Sequence, residues 1–245
     1  MEITVIFYLL LFTVAFLYAS VGHGGASGYL ALMAIYGFAP DLMKPTALLL
    51  NIFVSLTAFI QFYRGRHFNW KIFLPLALAS IPFAFLGGIM SIDATLYKKI
   101  LGLLLLIPIA RFFFLTKTGE EEKQLPNIVW SLLLGAMIGF LSGLIGIGGG
   151  IILSPILLLL RWTDQKQTAA ISALFIFVNS LSGLSGQLTK GIHFSSDMLL
   201  MVIIAFAGGL LGAWFGSLKF RHEILKFTLA SVLTLAAFKL LFTTA

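Results

Sequence analysis

Cysteine is absent from this 245-residue chain, which excludes disulfides, thiol chemistry and cysteine-based metal sites. Charge is scarce. Only 10% of the residues carry it, against roughly 25% in soluble domains, too few to cover a water-facing surface. Acidic residues number nine, and none falls deep inside an apolar run. Glu2, Asp41, Asp93, Asp164, Asp197 and Glu223 sit near run ends, while Glu120, Glu121 and Glu122 lie between runs. Cation transport and sodium coupling usually use a buried carboxylate, so this shortage favours an anion as ligand. Clustered histidines and acids are missing too, which argues against an enzyme and leaves no metal or cofactor implied. The start, Met1-Glu2-Ile3-Thr4, lacks a basic stretch and is not read as a cleaved signal peptide.

Apolar residues make up 60% of the chain and come in blocks, at 1–38, 45–62, 72–90, 100–108, 128–160 and 199–215. A bilayer core about 30 Å thick needs about 20 apolar residues per helix. Backbone in lipid must satisfy its own hydrogen bonds, which leaves helices or a closed barrel. Barrel strands alternate with period two. These blocks are apolar all round, so the expectation is an all-α, multi-pass protein of the cell (inner) membrane. The net charge of +7 sits in short loops, a positive-inside pattern rather than a nucleic-acid surface. The partners implied are a lipid bilayer and a small solute; a homo-oligomer is compatible with the sequence. Trp70, Trp130 and Trp162 fall near expected membrane interfaces and read as aromatic anchors.

The chain also repeats itself. Leu17 to Gly25 resembles Leu141 to Gly149, Thr46-Ala47-Leu48 resembles Ser172-Ala173-Leu174, and Gly65-Arg66-His67-Phe68 resembles Gly191-Ile192-His193-Phe194. Collinear matches at a spacing near 124 residues point to internal duplication. The expected organisation is a first membrane repeat over 1–115, a cytoplasmic linker over 116–127 and a second repeat over 128–245. Each repeat reads as five helical segments, at 3–21, 26–38, 45–63, 70–91 and 97–115, then 128–145, 148–161, 165–188, 196–217 and 221–243. An odd number of crossings per half puts eleven of the 16 basic residues on one side, and an even number splits them evenly. The positive-inside rule favours the odd count. The second repeat is then inverted, with both termini outside, a recurring plan for secondary transporters. Five full spans and three spans plus a re-entrant hairpin both satisfy it.

Two glycine breaks are the principal motifs, Gly22-His23-Gly24-Gly25-Ala26-Ser27-Gly28 and Gly146-Ile147-Gly148-Gly149-Gly150. Each glycine disfavours helix by about 1 kcal/mol relative to alanine, and irregular backbone in a membrane survives only where it is buried in protein or lines a cavity. A break followed by a short helix presents unpaired N–H groups and a positive dipole end, which suits an anion. The alternative is that the glycines only permit close helix crossing. Neither break continues as a phosphate-binding P-loop or follows a strand as a dinucleotide fingerprint does. His23 is suited to bind the anion when protonated or to couple a proton to its movement; a neutral ring bonded to a backbone carbonyl is the competing reading. His67, His193 and His222 read as ordinary loop residues.

Neutral polar residues extend the expected pathway along the third segments: Thr46, Asn51, Gln61, Ser172, Asn179, Ser180 and Gln187. Amides can donate to oxyanion oxygens without a buried charge. Asn51 and Asn179 are the stronger candidates, whereas Gln61 and Gln187, placed near cytoplasmic ends, read as interhelical hydrogen-bonders. The candidate substrate-binding set is Gly22, His23, Gly24, Gly25, Ser27, Asn51, Gly146, Gly148, Gly149, Gly150 and Asn179. Two ladders, Gly135/Gly139/Gly143 and Gly208/Gly212/Gly216, place small residues on one helix face for tight packing.

The paired glycine motifs, the stretch from Thr46-Ala47 to Asn51, the stretch from Ser172-Ala173 to Asn179 and the duplicated architecture together resemble the TauE/SafE family of sulfite exporters and related anion permeases. The resemblance covers nearly the whole chain. It implies transport of sulfite, an organosulfonate or another small sulfur-containing or carboxylate anion by alternating access; a passive channel of the same fold is the alternative. The first break departs from the family's apolar Gly-Ile-Gly-Gly-Gly form by carrying His23 and Ser27.

Overall fold

A computed structural model describes residues 5–20, 25–114, 124, 126–192, 194–216 and 233–242. Among these the chain is all-helical, with ten helices: α1 (Val5–Ser20), α2 (Ala26–Ile35), α3 (Pro40–Arg64), α4 (Trp70–Ile89), α5 (Ala94–Phe114), α6 (Ile128–Ile145), α7 (Gly150–Leu159), α8 (Gln165–Leu188), α9 (Ser196–Gly216) and α10 (Leu233–Phe242). Four of them, α3, α4, α6 and α8, are long and apolar enough to cross a membrane. Large apolar side chains such as Leu78, Met137, Ile203 and Phe238 point outward, a surface that lipid covers and water does not tolerate.

The polar residues near run ends start the helices. The side chain of Asn69 accepts from the Lys71 N–H at 3.0 Å, Asn127 from Val129 at 2.9 Å, and Asp164 from Gln167 at 2.8 Å. Each satisfies a donor that the first turn leaves unpaired. Asp93 does the same for α5, accepting from Leu96 and Thr95, and these backbone N–H groups hold its carboxyl below the usual carboxylate range. The third segment begins earlier than expected. Pro40 occupies its first turn, where a missing N–H costs nothing, and Pro45 lies inside it.

The short helices end in matching ways. After α2, Gly37 turns left-handed (φ +76°) and the Phe38 N–H reaches Met33 O at 3.0 Å; after α7, Arg161 does so (φ +57°) and Trp162 N–H reaches Leu157 O at 3.0 Å. Arg66 and Gly191 take the same left-handed conformation after α3 and α8.

The glycine ladders are the seams of the bundle. Gly135, Gly139 and Gly143 of α6 lie against the backbone of Leu76, Ser80 and Ala84 of α4, so close that no Cβ would fit. Residue numbers rise together, so the two helices run parallel. Gly208 and Gly212 of α9 lie likewise on Phe12 and Phe16 of α1. A third seam went unread in the sequence. Gly88 of α4, Gly143 of α6 and Gly183 of α8 meet backbone to backbone, the last two with a Cβ site 3.2 Å from a Cα.

Trp70 and Trp130 are exposed, at 47% and 62%, as interfacial anchors should be. Trp162 is not an anchor. It is 7% exposed, because the left-handed turn at Arg161 folds it back under the end of α7.

Candidate functional site

The second glycine break is fully described and buried throughout. It consists of left-handed backbone at Gly146 (φ +88°), Gly148 (φ +72°) and Gly149 (φ +78°), a conformation that costs an L-residue about 1–2 kcal/mol. Gly146 closes α6, its N–H donating to Ser142 O at 2.8 Å. The Ile145 carbonyl accepts from the buried Tyr97 hydroxyl at 2.8 Å, so α5 holds the end of α6 in place. Gly149 caps α7, its carbonyl accepting from Ile152 and Leu153 at 3.1 and 3.0 Å. The N–H groups of Gly150 and Ile151 stand ahead of that ladder and face the break, as at any helix start.

The break descends between α3 and α8, which run antiparallel. Gly146 packs on the backbone of Lys44. A Cβ on Gly148 would sit 2.7 Å from Ile176 Cγ2, 3.0 Å from Asn51 Nδ2 and 3.1 Å from Ser180 Oγ. Asn51 is thirteen residues from the end of α3 at Arg64, and Ser180 fifteen from the start of α8 at Gln165, so both lie about 20 Å from that end of the bundle at 1.5 Å per residue. Gly148 is therefore near mid-depth.

Buried polar atoms without a partner concentrate on α3 and α8, with one more on each of α2 and α6. Both amide atoms of Asn51, the hydroxyls of Ser55, Ser142, Ser180 and Tyr29, and the Asn179 Oδ1 make no hydrogen bond. Native interiors leave only a few such atoms per hundred residues, and each calls for an explanation. Asn179 Nδ2 is engaged, donating to Phe175 O at 2.8 Å. Asn51 has no such partner and is 0% exposed.

In the first half, Gly22, His23 and Gly24 lie outside the described residues. Gly25 caps α2, its carbonyl accepting from the Tyr29 N–H at 3.0 Å, and the Tyr29 ring lies where a Gly25 Cβ would point. Ser27 is buried and shares a 2.7 Å hydrogen bond with the Tyr18 hydroxyl, tying α2 to α1. A second buried serine contact, 2.8 Å between Ser154 and Ser172, ties α7 to α8. The structure thus joins Asn51 and Ser180 with the Gly148 break and pairs Ser27 with Tyr18. Tyr29, Ser55 and Ser142 were missed in the sequence, although each lies one helical turn from a residue singled out there: Gly25, Asn51 and Gly146.

The other end of α4 carries a second polar cluster. Lys44, placed in a loop by the sequence, is inside α3 and only 7% exposed. Its ammonium donates to the carbonyls of Gly87, Gly88 and Met90 at 3.3, 3.4 and 3.2 Å, where the last turn of α4 leaves acceptors free. Gln187 of α8 donates to the same Gly88 carbonyl at 3.0 Å, and Lys190 to Ser91 Oγ at 2.9 Å. Gln187 therefore bonds between helices as expected, but not at the same end as Gln61. The antiparallel course of α3 and α8 separates them, so the two glutamines cannot both be cytoplasmic.

The family described as sulfite exporter TauE/SafE matches residues 7–240. A relative described as a probable membrane transporter protein, y4hK of Sinorhizobium fredii, is 34% identical over 94% of this chain and 95% of its own length. Another from Haemophilus influenzae, described in the same words, is 28% identical over 88% of this chain and 84% of its own. The Arabidopsis thaliana sulfite exporter TauE/SafE family protein 1 is 28% identical over 49% of this chain and 25% of its length. No solved structure matches significantly.

Proposed function

The chain belongs to the TauE/SafE family of multi-pass membrane transporters, and from that premise we propose that it is a secondary permease for a small anion such as sulfite or an organosulfonate. One observation carries the reading. At the Gly148 break, an unpartnered asparagine, an unpartnered serine and the N-terminal end of α7 converge near mid-depth, fully buried. These are neutral donors beside a positive helix end, which can replace the hydration of an anion without the standing cost of a buried cation.

The two halves act as inverted repeats in this reading. Support comes from the pairing of α4 with α6 and of α9 with α1, which exchange when the halves are exchanged. The left-handed residues Gly37 and Arg161, 124 positions apart, support it too. The first break, with Gly22, His23, Gly24 and Gly25, is then the counterpart of the second, and Asn179 joins Asn51 in lining the path. Residues 1–115 and 128–245 rock against each other about the site, giving alternating access. The 116–127 linker is cytoplasmic and both termini are outside. Burial of the site away from both ends favours this over an open channel.

Uptake of labelled sulfite into proteoliposomes, with a competing panel of sulfonates, thiosulfate, sulfate and small carboxylates, tests the proposal. Saturable uptake that some of the panel slows is the expected result. No uptake by folded, inserted protein rejects an anion of this class.

A further inference from the structure

The unpartnered atoms at the Gly148 break and on the adjoining stretch of α8 include acceptors as well as donors. Asn51 offers both kinds, Nδ2 and Oδ1, and neither has a partner. Whichever way the amide is turned, one free carbonyl oxygen remains. Asn179, next to Ser180 in α8, has no such ambiguity. The Phe175 carbonyl can only accept, so the atom facing it is the amide nitrogen, and Oδ1 is left as a second buried, unpaired acceptor. A fully deprotonated oxyanion has only acceptor oxygens. It would pair with Asn51 Nδ2, Ser180 and the start of α7, yet leave the Asn51 oxygen unsatisfied and facing a negative charge.

An anion that keeps one proton removes this conflict. Its X=O and X–O–H edge matches an amide edge to edge, the anion accepting from Nδ2 while its O–H donates to Oδ1. The remaining oxygens face Ser180 Oγ, which flanks Gly148, and the free N–H groups of Gly150 and Ile151. Resting on the permease reading, we propose that the break selects hydrogen-bearing monoanions, such as hydrogensulfite, over anions of the same charge and shape that have no O–H. Asn51 is the specificity-determining residue, through its paired donor and acceptor.

Methanesulfonate and singly protonated methylphosphonate have the same shape and charge and differ by one O–H. In mildly acidic buffer, where methylphosphonate keeps that proton, each is titrated against labelled sulfite uptake by proteoliposomes. Methylphosphonate should compete at least about tenfold better, the usual consequence of leaving a buried acceptor unpaired. In Asn51→Leu, which removes both polar atoms at similar volume, any remaining uptake should distinguish the two less than about twofold. The wild-type comparison stands whether or not that variant folds. Equal competition, better competition by methanesulfonate, or uptake that neither slows overturns the proposal while the permease reading stands. Absence of sulfite uptake overturns both.

Discussion

At Gly148 the backbone conformation and the packing each demand glycine. The residue is left-handed, and a Cβ would enter the space of Ile176, Asn51 and Ser180. Gly191 supplies a control, being equally left-handed (φ +74°) with nothing within 4 Å of its Cβ position. Gly191→Ala should therefore lose only the backbone term, about 1–2 kcal/mol, and keep its uptake. Gly148→Ala adds a clash beside the unpaired amide of Asn51, and should lower thermal stability further and abolish uptake. Equal thermal shifts in detergent and equal uptake for the two variants would remove Gly148 from the site. That the helix breaks at this residue was legible in the sequence, because clustered glycines disfavour continuous helix. The role of Ser180 as a neighbour of Gly148, and of Lys44 as a buried donor, was not. Serine recurs throughout these apolar helices without polar context to rank it, and Lys44 precedes Pro45, which reads locally as the edge of a helix although α3 continues through it.

Among the helices, glycines that join elements differ from glycines that merely occur in them by what a Cβ would meet. Gly143 of α6 faces the Ala84 carbonyl, the Gly88 N–H and Gly183, all of them backbone. Backbone cannot give way as a side chain does, so Gly143→Ala must push α6 from α4 and α8, at a cost in the upper part of the roughly 1–3 kcal/mol typical of overpacking. The atoms nearest a Cβ on Gly102 of α5 belong to the side chains of Leu241 and Leu240, the closest at 2.9 Å, which can shift where backbone cannot, and helix propensity offsets part of that cost, so Gly102→Ala should cost less. Thermal unfolding of both variants in one detergent checks the order; a smaller loss for Gly143→Ala than for Gly102→Ala would contradict the seam. Two seams were legible because their glycines recur every four residues on one helix. The third was not, since Gly88, Gly143 and Gly183 come from three helices and no spacing in a single run connects them.

Across the whole molecule, hydrogen bonds sort the loops into two ends. Lys44, Gln187 and Lys190 converge on the last turn of α4 and on Ser91, while Lys239 donates to Ile35 O at 2.6 Å, a few residues before α3 begins. At the far end, the Gln124 N–H donates to Arg161 O at 3.0 Å, which puts the end of the linker beside the turn between α7 and α8. This is the division that an odd number of crossings per half produces and an even number does not. Since the chain has no native cysteine, single cysteines at exposed Lys190 and Gln124 report it without background. In intact cells, an impermeant thiol reagent should label Lys190→Cys and reach Gln124→Cys only after the membrane is opened. The reverse pattern keeps the fold and inverts the proposed orientation. Labelling of both from one side breaks the relation between the ends, and the rocking of inverted halves about Gly148 with it.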